Sequence, residues 1–189
     1  MLTRRNVMLA GLAVAITPQS AFAAKTRNKK FVLNPKYEPQ MVRYSGYRYP
    51  IGTIVVDPRK RFLYLIEGFT KARRYGVGVG QAGLSFQGTA EIRHKAEWPR
   101  WTPTQNMIQR DPGRYSKYAK GVPGGPKNPL GARALYLFQN GRDTYYRIHG
   151  TTQPSSIGRA VSAGCIRMIN DHVIDLYQRV PLGTRVVVL

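Results

Sequence analysis

The chain contains a single cysteine, Cys165, and three histidines that could activate it. A cysteine beside a histidine base is the pair expected for nucleophilic acyl transfer. His149 ends a predicted strand and is followed by glycine, a position where a side chain can face a cleft. His172 falls in the first turn of a predicted helix and is expected at the surface. His94 ends a strand beside Lys95 and is expected at the surface or in the lid. We therefore predict Cys165 as the nucleophile and His149 as the general base.

The residues that flank Cys165 suit a reactive thiol. Gly164 allows backbone angles that other residues resist, and the N–H groups of Gly164 and Cys165 could stabilise an oxyanion. Arg167 places a positive charge two positions on, and positive neighbours lower the pKa of a cysteine. With one cysteine no internal disulfide can form, and the count alone leaves an inert buried thiol equally open. The flanking residues favour the reactive thiol.

Residues 1–23 have the layout of a secretory signal peptide. Arg4 and Arg5 precede an apolar run, and Ala21-Phe22-Ala23 forms a small-residue cleavage site. The apolar run is shorter than the ~20 residues that a membrane span needs. The paired arginines also match a twin-arginine signal, which leaves the export route open. An uncleaved anchor is the alternative. The mature protein is expected in the periplasm or cell envelope.

The chain is strongly basic, since 30 Lys and Arg residues against 9 Asp and Glu give a net charge of +21. Loss of residues 1–23 would remove only Arg4 and Arg5 and leave +19. In the cytoplasm this balance would indicate nucleic acid as a partner. An exported protein instead meets wall peptides and charged lipid surfaces, on which a basic surface would concentrate it. We expect no nucleic acid partner, and a charge that serves only solubility is the alternative.

Residues 50–189 are predicted to form a mainly β domain, preceded by a basic lead-in over residues 24–49. β-branched and apolar alternation predicts the strands, at 53–57, 62–67, 73–79, 86–94, 134–138, 144–148 and 185–189. Asn140-Gly141 predicts a hairpin turn, and Asn170 predicts the N-cap of one clear helix. Residues 97–130 lack strand periodicity and are rich in Pro, Gly, Tyr and Arg. Such a long aromatic segment predicts an ordered lid.

The motifs around the two predicted catalytic residues resemble those of the L,D-transpeptidase catalytic domain family (YkuD type). The matching positions are His149, Gly150, Thr151, Ser162, Gly164, Cys165, Ile166, Arg167, Asn170 and Asp171. His149 precedes Ser162 by thirteen positions, a spacing that the family shares. The segment Gly124–Gly131 resembles the family's turn before the histidine strand. The resemblance covers roughly residues 50–189.

The resemblance implies a β-sandwich or barrel-like domain with one or two short helices and a long lid loop. It implies an acyltransferase that cleaves the L,D bond after the third residue of a peptidoglycan tetrapeptide stem. Cys165 would form the acyl-enzyme, with His149 as the base, and D-alanine would leave. An amine from another stem, giving a 3→3 cross-link, from a protein or from a free D-amino acid would take the acyl group. Further predicted site residues, which would orient the site or the substrate, are Gly150, Thr151, Ser162 and Arg167.

The resemblance also sets the expected partners and the alternatives. It implies no metal and no cofactor, peptidoglycan stems as substrate, an outer-membrane protein or lipoprotein as one acceptor, a monomer, and acylation of Cys165 by carbapenems. Many members have a second histidine before the glycine, where this chain has Ala163. His149 would then act alone or be oriented by a backbone carbonyl. A hydrolase (L,D-carboxypeptidase) of the same fold and a non-catalytic basic wall-binding module are the alternatives.

Overall fold

The computed structural model describes residues 31–45, 49–82, 84 and 86–189. The predicted signal peptide, residues 1–23, and the start of the lead-in lie outside the described residues. Phe31–Leu189 forms one compact unit. No helix in the described part of the chain is long and apolar enough to cross a membrane.

The described residues form eleven strands, three α-helices and three 3-10 helices. The strands are β1 (Gln40–Arg43), β2 (Ile54–Asp57), β3 (Phe62–Gly68), β4 (Lys71–Gly76), β5 (Val79–Gly80), β6 (Gly88–Glu97), β7 (Arg133–Gln139), β8 (Arg142–His149), β9 (Ala160–Ser162), β10 (Ile166–Arg167) and β11 (Arg185–Val188). The α-helices are α1 (Gln105–Arg110), α2 (Pro112–Tyr115) and α3 (Asn170–Arg179). The 3-10 helices span Pro35–Tyr37, Ser116–Tyr118 and Pro154–Ser156.

Nine of these strands form one mixed sheet, in the order β1-β4-β3-β2-β11-β6-β7-β8-β10, and β5 and β9 form a separate ribbon. The pairs β2–β11, β8–β10 and β5–β9 are parallel, and the other pairs are antiparallel. Strands far apart in this order share one core, since Leu63 of β3, Ile148 of β8 and Leu176 of α3 belong to the same buried cluster. The sheet must therefore curve around that core. The predicted mainly β fold is confirmed.

Strand β3 and the β7–β8 hairpin follow their sequence patterns. Leu63 and Leu65 face the main core, while Ile66 packs in a second cluster on the other side. The prediction that β3 is covered on both faces is confirmed. Asn140 and Gly141 both have positive φ, at 51° and 76°. Two central residues with positive φ give the turn type that matches the right-handed twist of the flanking strands.

The lead-in adds β1 to the edge of the sheet, antiparallel to β4. The Tyr37 ring fills a slot between Gly76 and Gly158, where a Cβ on either glycine would collide with it. The Glu38 carboxylate lies 3.1 Å from Nε2 of His172. His172 is consequently buried, and its prediction as a surface residue is wrong because the lead-in covers it. His94 is exposed, as predicted.

The predicted lid, residues 97–130, contains the two short helices α1 and α2. The side chains of Thr104 and Asp111 cap them by accepting first-turn backbone N–H groups at 3.2 and 3.1 Å. The Trp101 ring packs against that of Tyr118, with centroids 5.7 Å apart. The one clear helix predicted from sequence is α3, and the structure adds these two short helices within the lid. The capping residues were present in the sequence, but helices this short leave no apolar periodicity.

Candidate active site

Cys165 lies in a tight turn between β9 and β10. Ser162 Oγ accepts the Gly164 N–H at 3.1 Å and donates to the Cys165 carbonyl at 2.6 Å. Gly164 has φ +133°, and a Cβ there would lie 2.5 Å from both the Leu84 carbonyl oxygen and the Tyr146 ring. The turn therefore requires glycine. Ser162 acts on the turn that presents the thiol.

His149 ends β8 and is 5% exposed. Its Nδ1 lies 2.6 Å from the carbonyl oxygen of Gly150. A carbonyl can only accept, so Nδ1 must carry the proton and Nε2 the lone pair. This carbonyl is the orienting group that the sequence could not identify. It fixes the imidazole in the tautomer whose Nε2 can accept a proton.

Strand pairing brings the segments of Cys165 and His149 together. β10 runs parallel to β8, with Ile166 beside Ile148 and Arg167 beside His149. Cys165 comes directly before this pairing and His149 lies within it. Among the described residues, no hydrogen bond joins the two side chains. Catalytic pairs often tighten only when substrate binds, so this apo arrangement is compatible with a nucleophile and its base.

The thiol of Cys165 is partly exposed, and its Sγ lies 3.9 Å from the carbonyl oxygen of Tyr145. Desolvation raises the pKa of the thiol. The backbone of Arg147 and the positive charges of Arg147 and Arg167 act in the opposite direction but do not outweigh it. The resting thiol is therefore protonated at neutral pH. The positive neighbours act on the thiol pKa in the predicted direction, but desolvation exceeds their effect.

The pKa of the His149 imidazole is shifted in the opposite direction to that of the thiol. Burial lowers its pKa from 6.5 to about 4, and the charge of Arg167 adds to this. The carbonyls of Gly150 and Leu130, which favour the protonated imidazole, offset part of the shift. His149 is thus a neutral base at neutral pH, facing a site whose thiol is also neutral. Proton transfer must accompany attack on a substrate, since neither group is ionised beforehand.

Asn170 ties the loop after His149 to the segment before β7. Its Oδ1 accepts the N–H groups of Ala132 at 3.1 Å and Thr151 at 3.2 Å. Asn170 is the first residue of α3. The N-cap position is Ile169, whose side chain makes no capping hydrogen bond. The prediction of Asn170 as the N-cap is wrong. Gly131 and Gly150 pack so closely on Asn170 that a Cβ on either would collide with Oδ1.

Thr151 and Arg167 have supporting contacts around this pair. The buried Thr151 Oγ1 accepts the Gln153 N–H at 3.0 Å. Arg167 donates from Nη1 to Gln153 Oε1 at 3.2 Å. Its backbone exchanges two hydrogen bonds with Gly78, at 2.7 and 2.9 Å. Thr151 thus shapes the loop, while Arg167 brings its charge close to the imidazole.

The two predicted oxyanion donors differ in what they already bind. The Gly164 N–H is engaged by Ser162 Oγ. The Cys165 N–H donates to no carbonyl of the described residues. Of the two N–H groups, that of Cys165 is the one available to a developing oxyanion in this arrangement.

A bulge in β8 beside the thiol is absent from the sequence-based predictions. Residues 144–146 lie opposite the single residue Leu137 of β7. Within the bulge, Tyr145 has φ +61°. The Asp143 carboxylate accepts the Tyr145 N–H at 2.8 Å and two guanidinium N–H groups of Arg147, both at 2.7 Å. The strand pattern of β8 has no glycine or proline to signal this irregularity.

A cleft of about 570 Å³ lies along the bulge, lined by both polar and aromatic residues. Its walls include Arg142 and Asp143 on β8 and the rings of Phe86 and Tyr146, whose centroids are 5.5 Å apart. Tyr146 also contacts Gly164 of the cysteine turn, so the cleft adjoins the turn. In the residues the structure describes, no group of three or more His, Cys, Asp or Glu side chains could hold a metal ion.

Residues 51–188 match the family model of the L,D-transpeptidase catalytic domain, YkuD. A curated Escherichia coli (strain K12) relative, named "Probable L,D-transpeptidase ErfK/SrfK", is 36% identical over 140 residues. The match covers 73% of this chain and 44% of that relative, so the chain spans less than half of its length.

Solved structures similar to the chain include the following two. One, from Brucella melitensis, is titled "Probable carnitine operon oxidoreductase caia" and is 60% identical, with a TM-score of 0.57. The similarity covers 83% of this chain and 96% of that one. An L,D-transpeptidase from Mycobacterium smegmatis is 18% identical, with a TM-score of 0.51, and covers 72% of this chain and 58% of that one. The second likeness concerns the fold alone.

Proposed function

Because the chain belongs to the L,D-transpeptidase catalytic domain family, we propose that it is an exported cysteine acyltransferase acting on peptidoglycan peptide stems. The observation that carries this proposal is the parallel pairing of β10 with β8. That pairing places a partly exposed thiol and a buried neutral imidazole on adjacent segments. A thiol next to a base that can take its proton is what nucleophilic acyl transfer needs.

The first half-reaction forms a thioester. Sγ of Cys165 attacks the carbonyl carbon of the L,D bond after the third residue of a tetrapeptide stem. The thiol proton passes to Nε2 of His149, and the carbonyl electrons move to an oxyanion beside the Cys165 N–H. Collapse of this intermediate breaks the C–N bond. The leaving D-alanine amine takes the proton from His149.

The second half-reaction transfers the acyl group to an amine. The acceptor nitrogen attacks the thioester, gives its proton to His149 and displaces the Cys165 sulfur, which takes that proton back. The lowered pKa of His149 suits this cycle, because a neutral imidazole accepts a proton in each half-reaction. Arg167 helps to keep the imidazole neutral between turnovers.

The acceptor and the location follow from the same family membership. The acceptor is the amine of a second stem, of an outer-membrane protein or lipoprotein, or of a free D-amino acid. The protein works in the periplasm as a monomer, and the net charge of +19 that remains without residues 1–23 supports retention on the anionic wall. The lid residues 97–130 and the basic lead-in supply contacts with the wall.

The oxidoreductase title of the Brucella melitensis structure is not supported by this site. Gly78, Gly80 and Gly83 have the spacing of a dinucleotide-binding fingerprint. That fingerprint works by placing the phosphates at the N-terminus of the helix that follows. Among the residues described between β5 and β6, no helix begins. The glycine spacing therefore lacks the structure that would bind a dinucleotide.

Mass spectrometry of the protein with a tetrapeptide stem tests the proposal. We expect an acyl adduct on Cys165 with loss of D-alanine, and none in Cys165→Ala. His149→Ala should lower the acylation rate by ~100-fold or more, since general base catalysis contributes about that much. A carbapenem should give the same pattern of labelling.

The products separate the alternatives. Added acceptor amine should convert the adduct to a cross-linked product, whereas a free acid in its presence would indicate a hydrolase. Full wall binding by the Cys165→Ala variant, together with no adduct in the wild type, would indicate a non-catalytic module. Such binding would also collapse with salt.

A further inference from the structure

The bulge in β8 is held by side chains at both of its ends. Before it, Asp143 accepts the N–H of Tyr145 at 2.8 Å. After it, Arg147 donates both Nη atoms to Asp143 at 2.7 Å. Within it, the Thr144 hydroxyl donates to the Leu137 carbonyl of β7 at 2.6 Å. These hydrogen bonds surround the backbone of Tyr145 and fix its conformation.

This network of hydrogen bonds around the bulge is rigid. A guanidinium that meets a carboxylate through two parallel hydrogen bonds has a defined direction as well as strength. The Arg147 guanidinium also lies over the Tyr136 ring, 4.3 Å from its centroid. Tyr145 adopts φ +61° although it is not glycine, a conformation that costs an L-residue about 1–2 kcal/mol. The hydrogen bonds around Tyr145 must offset that cost, so they impose its backbone conformation.

The imposed conformation has one consequence at the active site. It directs the Tyr145 carbonyl oxygen to 3.9 Å from Sγ of Cys165, where the thiol donates to it. A carbonyl oxygen accepts a hydrogen bond from a thiol but repels a thiolate. Hydrogen bonding to the neutral form of a group disfavours its charged form.

We propose that Asp143 and Arg147 are positioning residues. The hydrogen bond from the Tyr145 N–H to Asp143, which Arg147 orients, holds the Tyr145 carbonyl against the Cys165 thiol and keeps the resting nucleophile protonated and aimed until substrate arrives. The role rests on Cys165 as the nucleophile of the proposed function. Neither residue touches the reacting atoms through its own carboxylate or guanidinium in this arrangement. The positioning effect of both passes through the backbone of Tyr145, whereas the backbone and the charge of Arg147 also act directly on the thiol and favour its thiolate.

Charged groups around the sulfur also affect the thiol pKa, and a test must distinguish their effect from that of the Tyr145 carbonyl. Arg147 and Arg167 favour the thiolate by their charge, and Asp143 disfavours it. Removal of the Asp143 charge alone would therefore also make Cys165 more acidic. The test needs one change that removes the charge and keeps the hydrogen bond, and one change that breaks the hold without altering any charge.

Alkylation by iodoacetamide as a function of pH reads the thiol directly, because the chain has one cysteine. Asp143→Asn removes the charge but keeps an oxygen for the Tyr145 N–H. Asp143→Ala removes both. Tyr145→Pro changes no charge, yet its φ near −65° and missing N–H cannot support the bulge. Tyr145→Gly is the matched control, since glycine adopts φ +61° freely.

We expect Asp143→Ala and Tyr145→Pro to shift the midpoint of the alkylation curve by about one unit to lower pH, which makes labelling at pH 7 about tenfold faster. Asp143→Asn should give a smaller shift, about threefold in rate. Tyr145→Gly should keep the wild-type curve. In Asp143→Ala the rate of acyl transfer to an acceptor should fall although the thiol is alkylated faster. A general loss of structure would not change the two rates in opposite directions.

Two results would overturn the proposal. One is that Asp143→Ala and Asp143→Asn give identical curves of alkylation against pH, because the shift would then come from the lost charge alone. The other is a Tyr145→Pro curve that superposes on that of Tyr145→Gly. If thermal melting shows that Tyr145→Pro is unfolded, the two Asp143 variants decide. If the wild type forms no stem adduct, the proposed function fails, while the alkylation curves still test the hold on the thiol.

Discussion

The histidine side of the site and its thiol side are secured by different kinds of contact. The histidine side comprises His149, Gly150, Gly131 and Asn170, and it is buried or half-buried and closely packed. The thiol side comprises the turn Ser162–Cys165 and the bulge at Tyr145. Cys165 is partly exposed, and short local hydrogen bonds and positive φ angles define the backbone around it.

This difference assigns different tasks to the two sides. The base is placed by contacts that also hold the sheet to α3, so its position depends on the stability of the whole unit. The nucleophile is placed by two short segments whose geometry is locally imposed. Changes on the thiol side should therefore alter reactivity more than stability, and changes on the histidine side should alter stability first.

Gly164→Ala should break the thiol side most severely. The new Cβ would lie 2.5 Å from the Leu84 carbonyl oxygen and from the Tyr146 ring, at φ +133°. We expect acylation to fall more than ~100-fold, while the free energy of unfolding falls by a smaller amount, about 1–2 kcal/mol. Gly183→Ala is the control, because Gly183 has φ +83° with nothing within 4 Å of a Cβ. It should cost about 1 kcal/mol and leave acylation intact.

Acid should weaken the histidine side. The pKa of His149 is about 4 in the folded protein, below its ordinary value of 6.5. As pH falls, the unfolded chain takes up the proton first, so stability present above pH 6.5 is lost between pH 6.5 and 4. The loss should be roughly 3 kcal/mol. Urea unfolding at several pH values should show this slope in the wild type and a flatter curve in His149→Gln. Equal slopes in the two proteins would contradict it.

Asn170→Ala should show how far the two sides are independent. It leaves the N–H groups of Ala132 and Thr151 without their acceptor, which should cost about 2 kcal/mol of unfolding free energy. The pH curve of Cys165 alkylation should stay unchanged, because the thiol side is held elsewhere. Asn170→Asp keeps an oxygen acceptor and should lose less stability. A shifted alkylation curve in Asn170→Ala would show that the two sides are coupled.

The sequence could predict those parts of the fold that local pattern determines. Both faces of β3, the Asn140–Gly141 hairpin and the start of β11 at Arg185 follow from alternation and turn residues. The predicted third strand instead breaks into β4 and β5 after Gly76, which packs directly on Tyr37 from the lead-in. That break depends on a contact distant in sequence, and no local pattern carries it.

The candidate site shows the same limit. The types and spacing of Cys165 and His149 could be recognised in sequence, because motif residues are local. The thiol pKa could not, because its direction depends on how much protein surrounds the sulfur, and only the fold decides that. The roles of Asn170 and Asp143 were missed for a related reason: each binds backbone N–H groups that the folded chain brings to it.

Tyr145 has a consequence for how this protein would respond to selection. Its ring is 69% exposed, so burial contributes little to its retention, and its φ of +61° is one that glycine adopts without strain. A library selected only for heat resistance should enrich glycine at this position, at a gain of about 1 kcal/mol. A tyrosine that persists under selection for activity would then mark a side chain retained for a purpose other than stability.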